Sequence, residues 1–153
     1  MKHLLLLFWS LAFIPRLVFA DLGDTIASAQ SKYGEPSMTK TAQILAYLHG
    51  TKYRVWQSYV DNVCVIAQFA LVDGGPLTTS DCRELDHDNL PAGLTPGVGQ
   101  GWERITWPNT VSYQYTGPEQ QLYQVMESWD KTDGYSRMYL HTAGIAFIKA
   151  LGR

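Results

Sequence analysis

Two runs rich in aromatic and β-branched residues, Tyr53–Val60 and Val63–Val72, are separated by Asp61-Asn62 alone. Such runs suit a pleated surface, and a two-residue gap of this type closes a tight hairpin. A two-residue turn pairs Val60 with Val63, then Tyr59 with Cys64, and so on outward. One face then carries Arg54, Trp56, Ser58, Val60, Val63, Val65, Ala67 and Phe69. The other carries Tyr53, Val55, Gln57, Tyr59, Cys64, Ile66 and Gln68. Neither face is cleanly polar, so cover is expected on both.

The flanking sequence supplies the rest of a sheet. Asp24 can cap a short helix that sets Ile26, Ala29 and Tyr33 on one side, and Gly34 and Pro36 end it. Residues 42–48 alternate as a strand does, although Ile44, Leu45 and Leu48 would also line a helix; a turn at Gly50 favours the strand. Asp73-Gly74-Gly75-Pro76 ends the hairpin. Thr78, Thr79 or Ser80 then caps a helix to about Asp88, with Cys82, Leu85 and Asn89 inward. Residues 91–101 hold four glycines and two prolines and read as a loop. Strands are expected at 102–107 and 111–115 around Pro108-Asn109. Residues 120–129 are open between strand and helix. Leu122, Val125, Met126 and Trp129, with Thr116 and Glu119 as a capping box, favour the helix. Tyr135–Leu140 and Ile145–Ala150 read as strands. No internal repeat is legible. The expected class is α+β, an antiparallel sheet with a few short helices packed on it.

Met1-Lys2-His3 precedes an apolar run from Leu4 to Ile14, and Pro15 and Val18-Phe19-Ala20 follow. A spanning helix needs about 20 apolar residues, so this run fits the core of a cleavable export signal. The expected organisation is a signal peptide over 1–20 and one globular domain over 21–153, working in the periplasm or secreted. The full chain has 14 acidic residues against 12 basic, and loss of Lys2 and Arg16 with the leader makes the balance more acidic. No basic run exists, which argues against nucleic acid and against anionic lipid surfaces. Stable membrane insertion is not expected. Cys64 and Cys82 are the two cysteines of the chain. In an oxidising compartment such a pair is expected to form one disulfide. The helix after the hairpin would then lie over the face holding Tyr59 and Cys64.

Candidate chemistry is sparse. Asp86-His87-Asp88 joins carboxylates to an imidazole, but neighbours on a helix point different ways, so the expected role is a solvated helix end. His49 and His141 fall in expected turns. No histidine pair has metal-ligand spacing, and neither a nucleophile elbow nor a phosphate loop is present. Glu103 and Glu127 would serve as a glycosidase-like pair only if folding brought them together. No catalytic residue, metal or cofactor is assigned. The aromatic residues remain. Tyr53, Trp56, Tyr59, Tyr113 and Tyr115 are the candidate binding residues, since Tyr and Trp join a large apolar body to a polar tip. Tyr135 and Tyr139 also fall in expected strands.

Leu22-Gly23-Asp24-Thr25 leading to Tyr33-Gly34-Glu35-Pro36, the Val63–Phe69 strand ending in Asp73-Gly74, the helix from Leu77-Thr78 to Asn89, and Trp129 before Asp133-Gly134 form one pattern. It resembles small exported bacterial proteins of unknown function. The opening also resembles the SmpA/OmlA outer-membrane assembly lipoprotein family and the β-lactamase-inhibitor fold. That resemblance implies helices on one face of an antiparallel sheet and protein binding without catalysis. The chain lacks the lipoproteins' lipidated cysteine. The leading expectation is a non-enzymatic module that binds another protein. A carbohydrate- or peptidoglycan-binding module comes second, and a small hydrolase with a spatially assembled site third.

Overall fold

In a computed structural model the described residues are 22–41, 44–49, 52–117, 120–131 and 134–151. The leader, Asp21, Gly50, Glu119 and Asp133 lie outside them. The elements are α1 (Ile26–Tyr33), β1 (Met38–Thr41), β2 (Ile44–His49), β3 (Tyr53–Val60), β4 (Val63–Leu71), α2 (Thr79–Asn89), β5 (Glu103–Trp107), β6 (Thr110–Thr116), β7 (Leu122–Asp130), β8 (Gly134–His141) and α3 (Thr142–Leu151). The eight strands form one sheet in the order β1-β2-β3-β4-β8-β7-β6-β5, and each neighbouring pair is antiparallel. One helix precedes each meander of four strands, and the meanders meet where β4 pairs with β8.

The central hairpin closes on Asp61-Asn62, both at positive φ, as a tight two-residue turn requires. Val60 pairs with Val63 and Tyr59 with Cys64, but Ser58 then pairs with Ile66. Val65 is the extra residue of a β-bulge. It moves Ala67 and Phe69 across the sheet, onto the face of Tyr53, Val55, Gln57, Tyr59 and Cys64. The uninterrupted register expected from sequence is corrected from Ser58 outward. The correction also removes the puzzle of two equally apolar faces: Phe69 joins Tyr47, Tyr59, Val55 and Tyr139 in one core beneath Ala29 of α1 and Leu85 of α2.

The opposite face holds a smaller core. Val65, Ile66 and Leu140 pack there against Ile145 and Phe147 of α3. Residues 145–150, expected as a strand, are helical. That helix packs closely on β4: a Cβ on Gly144 would stand 2.1 Å from the Val65 carbonyl oxygen. A side-chain-free position thus lets α3 rest on the bulge itself.

Residues 120–129, for which a helix was favoured, are mostly strand β7. Gln124 and Met126 face one side and Val125 and Glu127 the other, with β6 and β8 satisfying the backbone on both edges. Tertiary pairing overrides a local pattern that fits either period. The cap of α1 is Thr25, whose hydroxyl accepts the Ser28 amide, while Asp24 pairs with Lys32. Thr78 caps α2, and Asp81 completes a capping box.

Cys64 and Cys82 remain thiols, which corrects the expected disulfide. Cys64 is buried at the turn end of β4, where its amide and carbonyl pair with Asp24 and Gly23. Cys82 shares a cavity with Arg137, which pairs with Phe69. Phe69 lies five residues along β4 from Cys64, roughly 16 Å of extended chain. A disulfide needs α-carbons within about 7 Å.

Candidate functional site

The five tyrosine and tryptophan residues expected to bind do not converge. Tyr53 and Tyr59 are core side chains. The Tyr53 hydroxyl donates to Asp81 at 2.9 Å and the Tyr59 hydroxyl to Gln57 at 2.7 Å. Burial pushes both phenols above the usual range. Neither can touch a partner from inside the sheet. Trp56 is half-buried on the α3 face, with the Arg54 guanidinium 5.4 Å from its ring. Tyr113 and Tyr115 lie beneath the 91–101 loop, where Gly97 and Gly101 meet their rings and Trp102 packs on Tyr115 at 5.4 Å.

A different aromatic pair, Trp129 and Tyr135, does converge. Trp107, Trp129 and Tyr135 line a cavity of about 460 Å³ with Glu127, Arg137 and Cys82. The three rings are 45 %, 38 % and 45 % exposed, which makes them contact surface rather than core. Trp129 pairs with Tyr135 across β7 and β8, and their centroids stand 6.5 Å apart at 56°. Trp107 comes from the end of β5, and the Asn109 carbonyl beyond it accepts the Trp129 amide at 3.0 Å. The Gly74–Leu77 segment forms the remaining wall. It is fastened to β8 at Gly134, whose φ is +72° and whose missing Cβ would stand 2.4 Å from the Gly74 oxygen.

Arg137 forms the floor. It is 3 % exposed and held on both sides. Asp86 Oδ1 accepts from its Nε at 3.0 Å and its Nη2 at 2.7 Å, and from the Tyr139 hydroxyl at 2.7 Å. Nη1 donates to Glu127, whose side chain is 43 % exposed and faces the cavity. Burial works against the guanidinium charge, but Tyr139, Asp86 and Glu127 outweigh it and raise its pKa. Burial also pushes the Cys82 thiol up, so it is a poor nucleophile at neutral pH.

Asp86 therefore does not belong to a solvated helix end. Only His87 of Asp86-His87-Asp88 projects into solvent, at 87 % side-chain exposure. The helix turns Asp86 into the sheet and away from His87 and Asp88, whose Nδ1 and Oδ1 stand 3.0 Å apart. A second cavity, lined by Asp88, Asn89, Tyr123 and His141, lies near the start of α3. His141 ends β8, and its Nδ1 accepts the Ala143 amide at 3.1 Å. Its imidazole is thus engaged as a cap of α3. Burial pulls its pKa down, partly offset by the Cys64 backbone.

No family model, no curated protein and no solved structure matches the chain. The site is accordingly read from its own chemistry. Among the described residues no group of three or more His, Cys, Asp or Glu stands where it would hold a metal ion. No helix among them is long and apolar enough to cross a membrane. Sequence reasoning passed over Trp107 and Trp129. The usable signal was the spacing of Trp129 and Tyr135 about a turn, which pairs them only if residues 122–130 are a strand.

Proposed function

We propose that this protein is an exported, non-enzymatic binding module that recognises another protein through the aromatic cavity between α2 and the β7–β8 hairpin. One observation carries the reading: Trp107, Trp129 and Tyr135 stand 38–45 % exposed around a single cavity whose floor is a buried, fully charged arginine. Trp, Tyr and Arg dominate the energetics of protein interfaces, particularly when grouped about one pocket. Leaving such rings in water has a free-energy cost that a bound partner relieves. The resemblance to assembly lipoproteins and β-lactamase inhibitors points the same way. Affinity capture from envelope extract tests it. A partner retained by the unaltered chain and lost with Trp129→Ala and Tyr135→Ala is the expected result. Equal retention by all three proteins would move the site elsewhere.

A glycan is the second reading, because a tilted Trp–Tyr pair beside Ser128, Ser136 and Asn109 also offers a stacking platform with hydroxyl and amide groups. A hydrolase would draw on His141 and Asp88, but the His141 ring is already engaged at the start of α3. A nucleophile hydrogen-bonded to a general base, the hallmark of that chemistry, is not formed among the described residues of that cavity.

A further inference from the structure

We infer that the group received by the Trp107–Trp129–Tyr135 cavity is an organic ammonium ion, either a lysine side chain or a quaternary amine; this deepens the binding reading above and rests on it. Charge is the first observation. The floor sets one guanidinium, Arg137, between two carboxylates, Asp86 and Glu127. The cluster carries a net negative charge, and of its two members that line the cavity Glu127 is half-exposed while Arg137 is buried. An anionic guest would meet Glu127 before it reached the buried guanidinium. A cationic guest meets the carboxylate directly.

The rings are the second observation. Aromatic faces attract cations that come within about 6 Å of the ring centroid, Trp most strongly. Trp129 and Tyr135, 6.5 Å apart and tilted at 56°, form two converging walls. A cation seated between them can lie within that range of both, while Trp107 stands at the rim of the cavity, in register with Thr110 and Ser128 on the other sheet face. Nothing in this arrangement depends on hydrogen bonds, which a quaternary ammonium group lacks. A lysine ammonium would donate to Glu127 in addition. The cavity volume, about 460 Å³, is ample for either and falls within the range of small-ligand sites.

The test compares choline with its uncharged carbon isostere, 3,3-dimethylbutan-1-ol, titrated into the full chain and followed by tryptophan fluorescence and ligand-observed NMR. Nα-acetyl-lysine methylamide forms the third arm. Choline or the lysine derivative is expected to bind about tenfold more tightly than the isostere. The tighter of the two cations then identifies the source, a small quaternary amine or a partner's side chain. Glu127→Gln should weaken cation binding severalfold and leave the isostere unchanged, with circular dichroism confirming the fold. Trp129→Phe should weaken the cation less than Trp129→Leu does. Isostere binding equal to choline overturns the inference while leaving the aromatic site standing. Absence of binding in all three arms also overturns it. The binding reading itself falls only if envelope capture, too, is indifferent to Trp129→Ala and Tyr135→Ala.

Discussion

Arg137 shows how much a single residue governs here. It joins α2 to β7 and β8 through Asp86, Glu127 and Tyr139, and it forms the floor of the proposed site. A buried ion pair adds little over a hydrophobic replacement, but removing one partner strands the other charge. Arg137→Ala is therefore expected to destabilise the fold by about 3–5 kcal/mol, read from urea unfolding. Adding Asp86→Ala should recover part of that loss, since the orphaned carboxylate goes with it; an additive double mutant would show that the pair is not coupled. In sequence the pair was invisible. Asp86 looked like one of three polar residues at a helix end, and only the partner, 51 positions away, assigns it to the interior.

Among the elements, α3 has the sharpest test. Alanine normally stabilises a helix by about 1 kcal/mol over glycine. At Gly144 that gain competes with a Cβ placed 2.1 Å from the Val65 oxygen, and overpacking against backbone costs about 1–3 kcal/mol. The contact should win: Gly144→Ala is expected to lower the thermal midpoint, and a rise would show that α3 does not rest on the bulge. The helix caps respond to acid. The Lys52 ammonium holds the Asp81 carboxyl well below the usual range, so its contribution is complete above the unfolded value near pH 4 and is lost as pH falls through the folded one. His141 is held neutral by burial, and its contribution is likewise complete above about pH 6.5 and lost below it. Stability should be level between about pH 7 and pH 8, begin to fall below about pH 6.5 and fall more steeply below about pH 4. Urea midpoints against pH should lose the first decline in His141→Gln and the second in Asp81→Asn.

At the scale of the whole molecule, the thiols test the topology. Titration of the denatured, unreduced protein should give two reactive thiols per chain, because Cys64 lies at the turn end of β4 and Cys82 lies on α2 beside Arg137, which pairs with the far part of that strand. Fewer than two would require a different packing of α2 on the sheet. The described residues are also arranged as two successive runs of one helix and four strands, joined at β4 and β8, with α3 following the second. No repeat is legible in the residues, because a strand pair needs only apolar alternation and a turn, which many sequences satisfy.

The hairpin at Asp61-Asn62, the Thr78-capped helix, the 91–101 loop and the strands about Pro108-Asn109 were all determined locally. Turn residues, caps and two-residue alternation act over a few positions, so they can be read without knowing the fold. The bulge at Val65, the strand state of 122–130, the helical state of 142–151 and the distance between the cysteines were decided by tertiary structure. Each depends on which distant backbone supplies hydrogen bonds or steric contact. The candidate site belongs to this second group. Its aromatic residues were all present in the sequence, but a one-residue change of register moves every side chain to the opposite face. Only pairing across β7 and β8 determines that Trp129 and Tyr135 meet while Tyr53 and Tyr59 are buried.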